Sequence, residues 1–233
     1  MGRTSEALLA LMTELHLRTF PALVSYPEAL TLMEESVQHL IQERGTEAVW
    51  FLEHPPLYTV GTSACKEDVI GFSNIPVFQT NRGGRSTYHG PGQRVIYVLL
   101  NLKKRKIDIR HFVWSIEEWI IQTLRSFRIE GFRQEGRVGI WVTHPQKGEA
   151  KIAALGLRIR SGISFHGISL NVSPDLTHYQ GIVPCGISDY PVTSCQDLGF
   201  DLSLEDLDNI LKQTIESTFF PCLSLPPLPS KRR

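Results

Sequence analysis

The sequence predicts an α+β fold, a mixed β-sheet flanked by helices, and three observations carry that reading. The periodic segments run helix, strand, helix and then a strand-rich meander, not alternating strand–helix units. Arg94–Leu102 (RVIYVLLNL) is almost continuously apolar, as suits a central strand covered on both faces. Two long strand-like runs in the second half are separated only by Ser161-Gly162, a tight-turn signal that predicts a hairpin. No composition shift marks a linker, so residues 15–222 read as one domain between an N-terminal extension (1–14) and a C-terminal tail (223–233).

Residues 28–44 read as an amphipathic helix, with Leu30, Met33, Val37, Leu40 and Ile41 at helical spacing and Gly45 as its stop. Ala48–Leu52 reads as a strand broken by His54-Pro55-Pro56, because proline removes a ladder donor. Leu57–Val60 is a second short strand, and Ile75–Thr80 leads into a glycine-rich loop, Arg82–Gly92. After the central strand, residues 110–128 place Phe112, Ile116, Trp119, Ile120, Thr123 and Phe127 on one helix face. Val138–Val142, Lys151–Arg160 and Ile163–Val172 are successive strands. Residues 204–219 form a closing helix with Leu204, Leu207, Leu211 and Ile215 on one side.

Composition narrows the function classes. The 233 residues carry 24 Lys plus Arg against 24 Asp plus Glu, and 42% are apolar. The chain has enough apolar material to build a core, and it lacks the basic excess that nucleic-acid wrapping needs. Four cysteines (Cys65, Cys185, Cys195, Cys222) with no CxxC pair support neither a disulfide scaffold nor a zinc ribbon, so no metal is expected. The N-terminus is a poor secretory signal and no apolar run reaches about 18 residues, so a cytoplasmic protein with no membrane partner is expected.

Four segments carry candidate chemistry, each with a bland alternative. Arg82-Gly83-Gly84-Arg85-Ser86-Thr87-Tyr88-His89-Gly90-Pro91-Gly92-Gln93 combines glycines that let backbone approach a ligand, two arginine forks and a histidine; the alternative is a solvated surface turn. It lacks both GxxxxGK[ST] and GxGxxG. Lys151 opens an apolar strand, where desolvation disfavours a lysine's charged form and makes it a usable base; the alternative is a solvated strand end. Cys185, held between Pro184 and Gly186, presents sulfur from a constrained turn; the alternative is a buried structural thiol. In Ser164–Asn171, period-2 alternation puts His166, Ile168 and Leu170 on one face, so His166 is either a core histidine or a third member of a nucleophile–base site.

At RGGRSTYHGPGQ, KIAALGLRIR, FHGISLNV and PCGI, in that order and with 34 residues from Lys151 to Cys185, the sequence resembles the lipoate-biosynthesis octanoyltransferases, the LipB family. The resemblance runs from about Leu15 to about Cys195. It implies the fold of the biotin and lipoate protein ligase catalytic domains. It also implies transfer of an octanoyl group from acyl carrier protein to a lysine of apo lipoyl domains, those of 2-oxoacid dehydrogenase complexes and of glycine-cleavage H protein. The donor thioester supplies the energy, so neither ATP nor another cofactor is expected. Cys185 maps onto the family's nucleophile and Lys151 onto its partner and base. Arg82 through His89 map onto a substrate-binding loop; Ala154-Leu155-Gly156 and His166-Gly167-Ile168-Ser169 map onto the other binding segments, with His89 and His166 able to orient the carbonyl or the dyad. Lys103-Lys104-Arg105-Lys106 is either a docking patch for acidic carriers or a solvated loop. The rival readings are an ATP-dependent lipoate–protein ligase, which needs no cysteine at position 185, and a non-catalytic acyl-carrier docking module.

Overall fold

The computed structural model describes residues 15–65, 68, 74–182 and 190–223. The proposed nucleophile Cys185, the extension 1–14 and tail residues 224–233 lie outside the described residues.

The first elements are strand β1 (Leu15–Thr19), helix α1 (Tyr26–Ile41), and strands β2 (Glu47–Leu52), β3 (Leu57–Val60), β4 (Val77–Gln79), β5 (Ser86–His89) and β6 (Gln93–Leu99). A short helix α2 (Leu102–Arg105), the long helix α3 (Ile109–Ser126), and strands β7 (Phe132–Gln134), β8 (Arg137–His144), β9 (Gly148–Arg160) and β10 (Ile163–Asn171) follow. A 3₁₀ turn (Leu176–Gly181) and helix α4 (Leu204–Thr214) come next. A π-helical turn (Ile215–Phe219) then leads into helix α5 (Phe220–Leu223).

Seven strands form one mixed sheet in the order β1-β2-β6-β10-β9-β8-β7, with only β1–β2 parallel. A second sheet of three strands, β4-β3-β5, was not anticipated. One face of the large sheet packs against α3 and α4, where Phe112, Ile116 and Trp119 meet Phe51, Ile96, Val98, Leu207 and Leu211. The other face meets α1, where Met33, Val37 and Leu40 pack on Trp50, Leu52, Val95 and Tyr97. Strand β6 contributes alternate residues to both layers, the doubly covered strand that its continuous apolar run predicts.

Local chemistry explains where boundaries differ from expectation. Helix α1 begins two residues early because Ser25 caps it, accepting from Glu28 N–H. It ends at Ile41, not 44. Glu43 takes φ 57° and Gly45 N–H bonds His39 O, folding the chain back so closely that a Cβ at position 45 would sit 3.0 Å from the His39 carbonyl carbon. The central strand stops at Leu99, because Asn101 caps α2 by accepting from Lys104 N–H, so Leu102 is helical. The basic run therefore lies on a helical turn. Arg105 is committed to an ion pair with the buried Glu47, while Lys103, Lys104 and Lys106 are exposed. Ser161 (φ 52°) and Gly162 (φ 83°) form the expected tight β9–β10 turn. The closing helix is α-helical only to Thr214 before the π-helical turn. The "loop" Arg82–Gly92 is partly strand: Ser86–His89 pairs antiparallel with β3.

Candidate active site

Strands β9 and β10 build the floor of a cavity. Residues paired across a sheet share a face, so Gly156 lies beside Gly167 and Ala154 beside Ser169. Tyr97 and Val95 of β6 continue the same two rows. Four small residues in a block leave a trough. Across it stand Tyr26 from the start of α1 and Arg82, Thr87 and His89 around β5. Together they enclose a cavity of about 190 Å³.

Lys151 lies in the wall of this cavity, 7% exposed. Its Nζ donates to Val138 O (3.2 Å) and sits 4.8 Å from the centre of the Trp141 ring. The register between β8 and β9 shifts beside it, between Ile140 and Trp141. Gly139, with φ 122°, leaves the space that the lysine stem uses: a Cβ there would lie 3.4 Å from Lys151 Cε and 2.7 Å from Ala153 O. The Lys151 backbone is fastened to the segment just after Tyr190, giving N–H to Pro191 O and taking N–H from Thr193. The chain that bears Cys185 thus re-enters the described structure alongside Lys151.

A directed chain of hydrogen bonds fixes His89. Gln93 Nε2 shares its two hydrogens among Tyr88 O, Asn171 Oδ1 and Tyr179 OH, so Gln93 Oε1 is the acceptor facing His89 Nδ1 at 2.7 Å. His89 Nδ1 therefore carries the hydrogen. Arg82 donates to Thr59 Oγ1 through Nε and Nη2, leaving the Thr59 hydroxyl to donate to His89 Nε2 at 3.3 Å. Both imidazole nitrogens are spent on the protein, which makes His89 an organiser of the wall and a poor base.

His166 departs from the expected alternation. Its φ is 59°, and its ring stacks on that of its neighbour Phe165 at 5.2 Å and lies 6.0 Å from Tyr97, on the trough side. Adjacent side chains on an ideal strand point to opposite faces, so the positive φ turns this imidazole out of the large apolar layer that holds Ile168 and Leu170 and into the cavity. Burial pulls His54 down to about 4 and His166 down to about 3; it does the same to His89, with help from the neighbouring His54 and Arg82.

These imidazoles set a pH dependence. An unfolded histidine titrates near pH ~6.5, while the three folded ones resist protonation to about pH 3–4, so between these limits the unfolded chain holds more protons. Stability therefore rises with pH through this window and falls as pH drops below about 6.5, by about 2 kcal/mol per histidine by pH ~5. Calorimetric melting near pH ~5 should show these histidines taking up about three protons on unfolding, and His89→Asn should remove about one of them.

The remaining expected binding residues divide. Arg82, Gly84, Arg85, Thr87, Ala154, Leu155 and Ile168 border the cavity. Gly83, Ser86 and Tyr88 do not line it. Gly83 N–H ties the loop to Leu157 O, Ser86 is fully buried, and Tyr88 packs with Tyr58, His178 and Tyr179. The Arg85 fork grips Asp68. Among the other cysteines, Cys195 is buried, which pushes its thiol up to about 12, while Cys65 is exposed. Sequence reasoning missed Tyr26, Tyr97 and Arg137, which also line the cavity, and Glu117 behind Lys151. Nothing in a lone aromatic or acid on an amphipathic segment distinguishes it before the fold is known. No helix among the described residues is long and apolar enough to cross a membrane.

Comparison with known proteins identifies the family. Residues 25–216 match the family model for the lipoyl protein ligase A/B catalytic domain. An octanoyltransferase of Bartonella quintana is 52% identical over 211 residues, covering 87% of this chain and 86% of that protein. An octanoyltransferase of Brucella melitensis is 54% identical over 207 residues, covering 85% and 78%. Among solved structures, the fold is shared with a bipartite lipoate protein ligase from Thermoplasma acidophilum (TM-score 0.65, 18% identity, 88% of this chain and 83% of that one). It is also shared with P. falciparum LipL1 in complex with lipoate (TM-score 0.67, 15% identity, 89% and 62%). The chain belongs to the lipoyl protein ligase A/B catalytic-domain family and stands within it among the octanoyltransferases.

Proposed function

We propose that this enzyme moves an octanoyl group from the pantetheine thioester of acyl carrier protein to a lysine of an apo lipoyl domain through a thioester on Cys185. The observation that supports the reading best is the buried Lys151 amine in the wall of a trough floored by Ala154, Gly156, Gly167 and Ser169. In the first half-reaction the Cys185 thiolate attacks the donor carbonyl, the C–S bond to pantetheine breaks, and the departing thiolate takes its proton from the Lys151 ammonium, which leaves the lysine as a free amine for the second. In the second, the acceptor amine attacks the acyl-enzyme carbonyl, a C–N bond forms, and the Cys185 thiolate leaves. Lys151 as an ammonium stabilises the thiolate, and as a free amine it takes the proton that the acceptor amine must lose. The apolar trough holds the alkyl chain, gaining about 0.8 kcal/mol per buried CH₂. The thioester supplies the energy, so the transfer needs no ATP.

The test is intact-mass measurement after mixing the enzyme with octanoyl-acyl carrier protein, without ATP. One octanoyl adduct is expected. It should be absent in Cys185→Ser, retained in Cys195→Ser, and discharged when apo lipoyl domain is added. Strict dependence on ATP would favour a ligase; a parent enzyme that forms no adduct and transfers no octanoyl group, with Cys185→Ser indistinguishable from it, would leave only a docking module.

A further inference from the structure

A single peptide group joins Lys151 to a buried carboxylate. Lys151 Nζ donates to Val138 O at 3.2 Å, and Gly139 N–H, the other end of that same peptide, donates to Glu117 Oε1 at 3.1 Å. Glu117 lies on α3, behind the strand, and is 7% exposed. Its other oxygen accepts from Arg133 Nε at 3.2 Å; Arg133 also pairs with Glu118 (2.8 Å) and donates to Trp114 O (2.8 Å). Burial raises the Glu117 carboxyl, opposed by the Gly139 N–H, Arg133 and the Lys151 charge.

Position 139 has to be glycine for this peptide to take the orientation that reaches both partners. Gly139 has φ 122°, and a Cβ would lie 2.7 Å from Ala153 O. A carboxylate drawing on the N–H makes the carbonyl at the other end a better acceptor, because hydrogen bonds in a chain polarise one another. The same bond anchors the strand edge, and with it the carbonyl that orients the lysine, to helix α3.

We infer that Glu117 is a positioning residue for Lys151, acting through the Val138–Gly139 peptide to hold the amine in the cavity wall. The inference rests on the assignment of Lys151 as the base. It predicts that removing the carboxylate slows turnover without weakening substrate binding, since the lysine is misplaced while the trough is intact.

The experiment measures kcat and KM with octanoyl-acyl carrier protein and apo lipoyl domain, together with Tm. Glu117→Ala should lose about ten-fold or more in kcat with KM changed less than about two-fold. Glu117→Gln keeps an oxygen for Gly139 N–H and should recover to within about three-fold of the parent. Glu118→Ala removes another partner of Arg133 without touching the peptide; it should lower Tm and keep kcat within about two-fold. In a Lys151→Ala background, Glu117→Ala should cost less than about two-fold further, because its route is already cut. Equal kcat losses in Glu117→Ala and Glu118→Ala, or a full additional loss in the Lys151→Ala background, would overturn the inference and make Glu117 a structural residue. Unchanged turnover in Lys151→Ala alone would instead overturn the assignment of the base, and this role with it.

Discussion

Lys151→Arg should accumulate octanoyl-enzyme yet fail to pass the acyl group on. The guanidinium keeps a cation over Trp141, where Lys151 Nζ sits 4.8 Å from the ring centre, so thiolate stabilisation survives. It does not accept a proton, because an arginine stays charged at any working pH. The acceptor amine then keeps its proton and its poor nucleophilicity. A general base is worth about 10²–10⁴ in rate, and that loss should fall on the second half-reaction. Lys151→Met removes the cation as well and should slow both halves. Single-turnover mass measurements separate them: the Arg variant shows a persistent adduct, the Met variant little adduct at all. If Lys151→Arg turned over at the parent rate, the lysine would be an electrostatic partner only, and the proton would have to leave by another route.

Much of this site was legible in the sequence, and the part that was not has physical reasons. The central strand, the β9–β10 hairpin and the two long helices each have a local signature, in apolar runs, turn residues or periodicity. Ala154, Gly156, Gly167 and Ser169 read only as small residues; what makes them a trough is the register that sets them side by side, and register is a property of the pair of strands. Ser86–His89 looked like loop because its glycine- and arginine-rich neighbours dominate the composition. Its pairing with Leu57–Val60 joins residues about thirty apart along the chain, which no local window reports. Period-2 alternation puts His166 on the face of Ile168 and Leu170, and one residue at positive φ cancels that rule at its position and leaves it in the cavity, the second of its two readings. The two arginines of the glycine-rich segment read as open anion forks, yet Arg82 holds Thr59 and Gly83 while Arg85 holds Asp68. Glu117 carries no local signal at all, since its partner is a peptide of a strand twenty-two residues further on.

Gly167→Ala should cost the fold far more than Gly156→Ala, although both glycines look alike in sequence and face each other across the same strand pair. A Cβ at 167 would lie 1.9 Å from Ile96 O and 3.3 Å from Tyr97 Cα, both backbone atoms of the neighbouring central strand. That contact cannot be relieved by a rotamer change. The ladder between β10 and β6 has to move, at the heart of both apolar layers, and about 3 kcal/mol or more of stability should be lost. A Cβ at 156 meets Arg82 Cδ at 2.9 Å and Gly83 O at 3.3 Å, so its closest obstacle is a side chain: the strain falls on Arg82, which Thr59 and Gly83 hold, and not on the ladder of the central strand. Gly156→Ala should therefore fold, but with a methyl group added to the floor where an alkyl chain would lie. Its signature should be kinetic: KM for octanoyl-acyl carrier protein rises, and preference moves toward shorter acyl chains, because one methylene of pocket depth is worth about 1–3 kcal/mol. Thermal melts and turnover with six-, eight- and ten-carbon donors measure both effects. If Gly156→Ala left chain preference untouched, the trough between β9 and β10 would not be where the acyl chain lies, and the small residues there would serve only the close packing of Arg82 on the sheet.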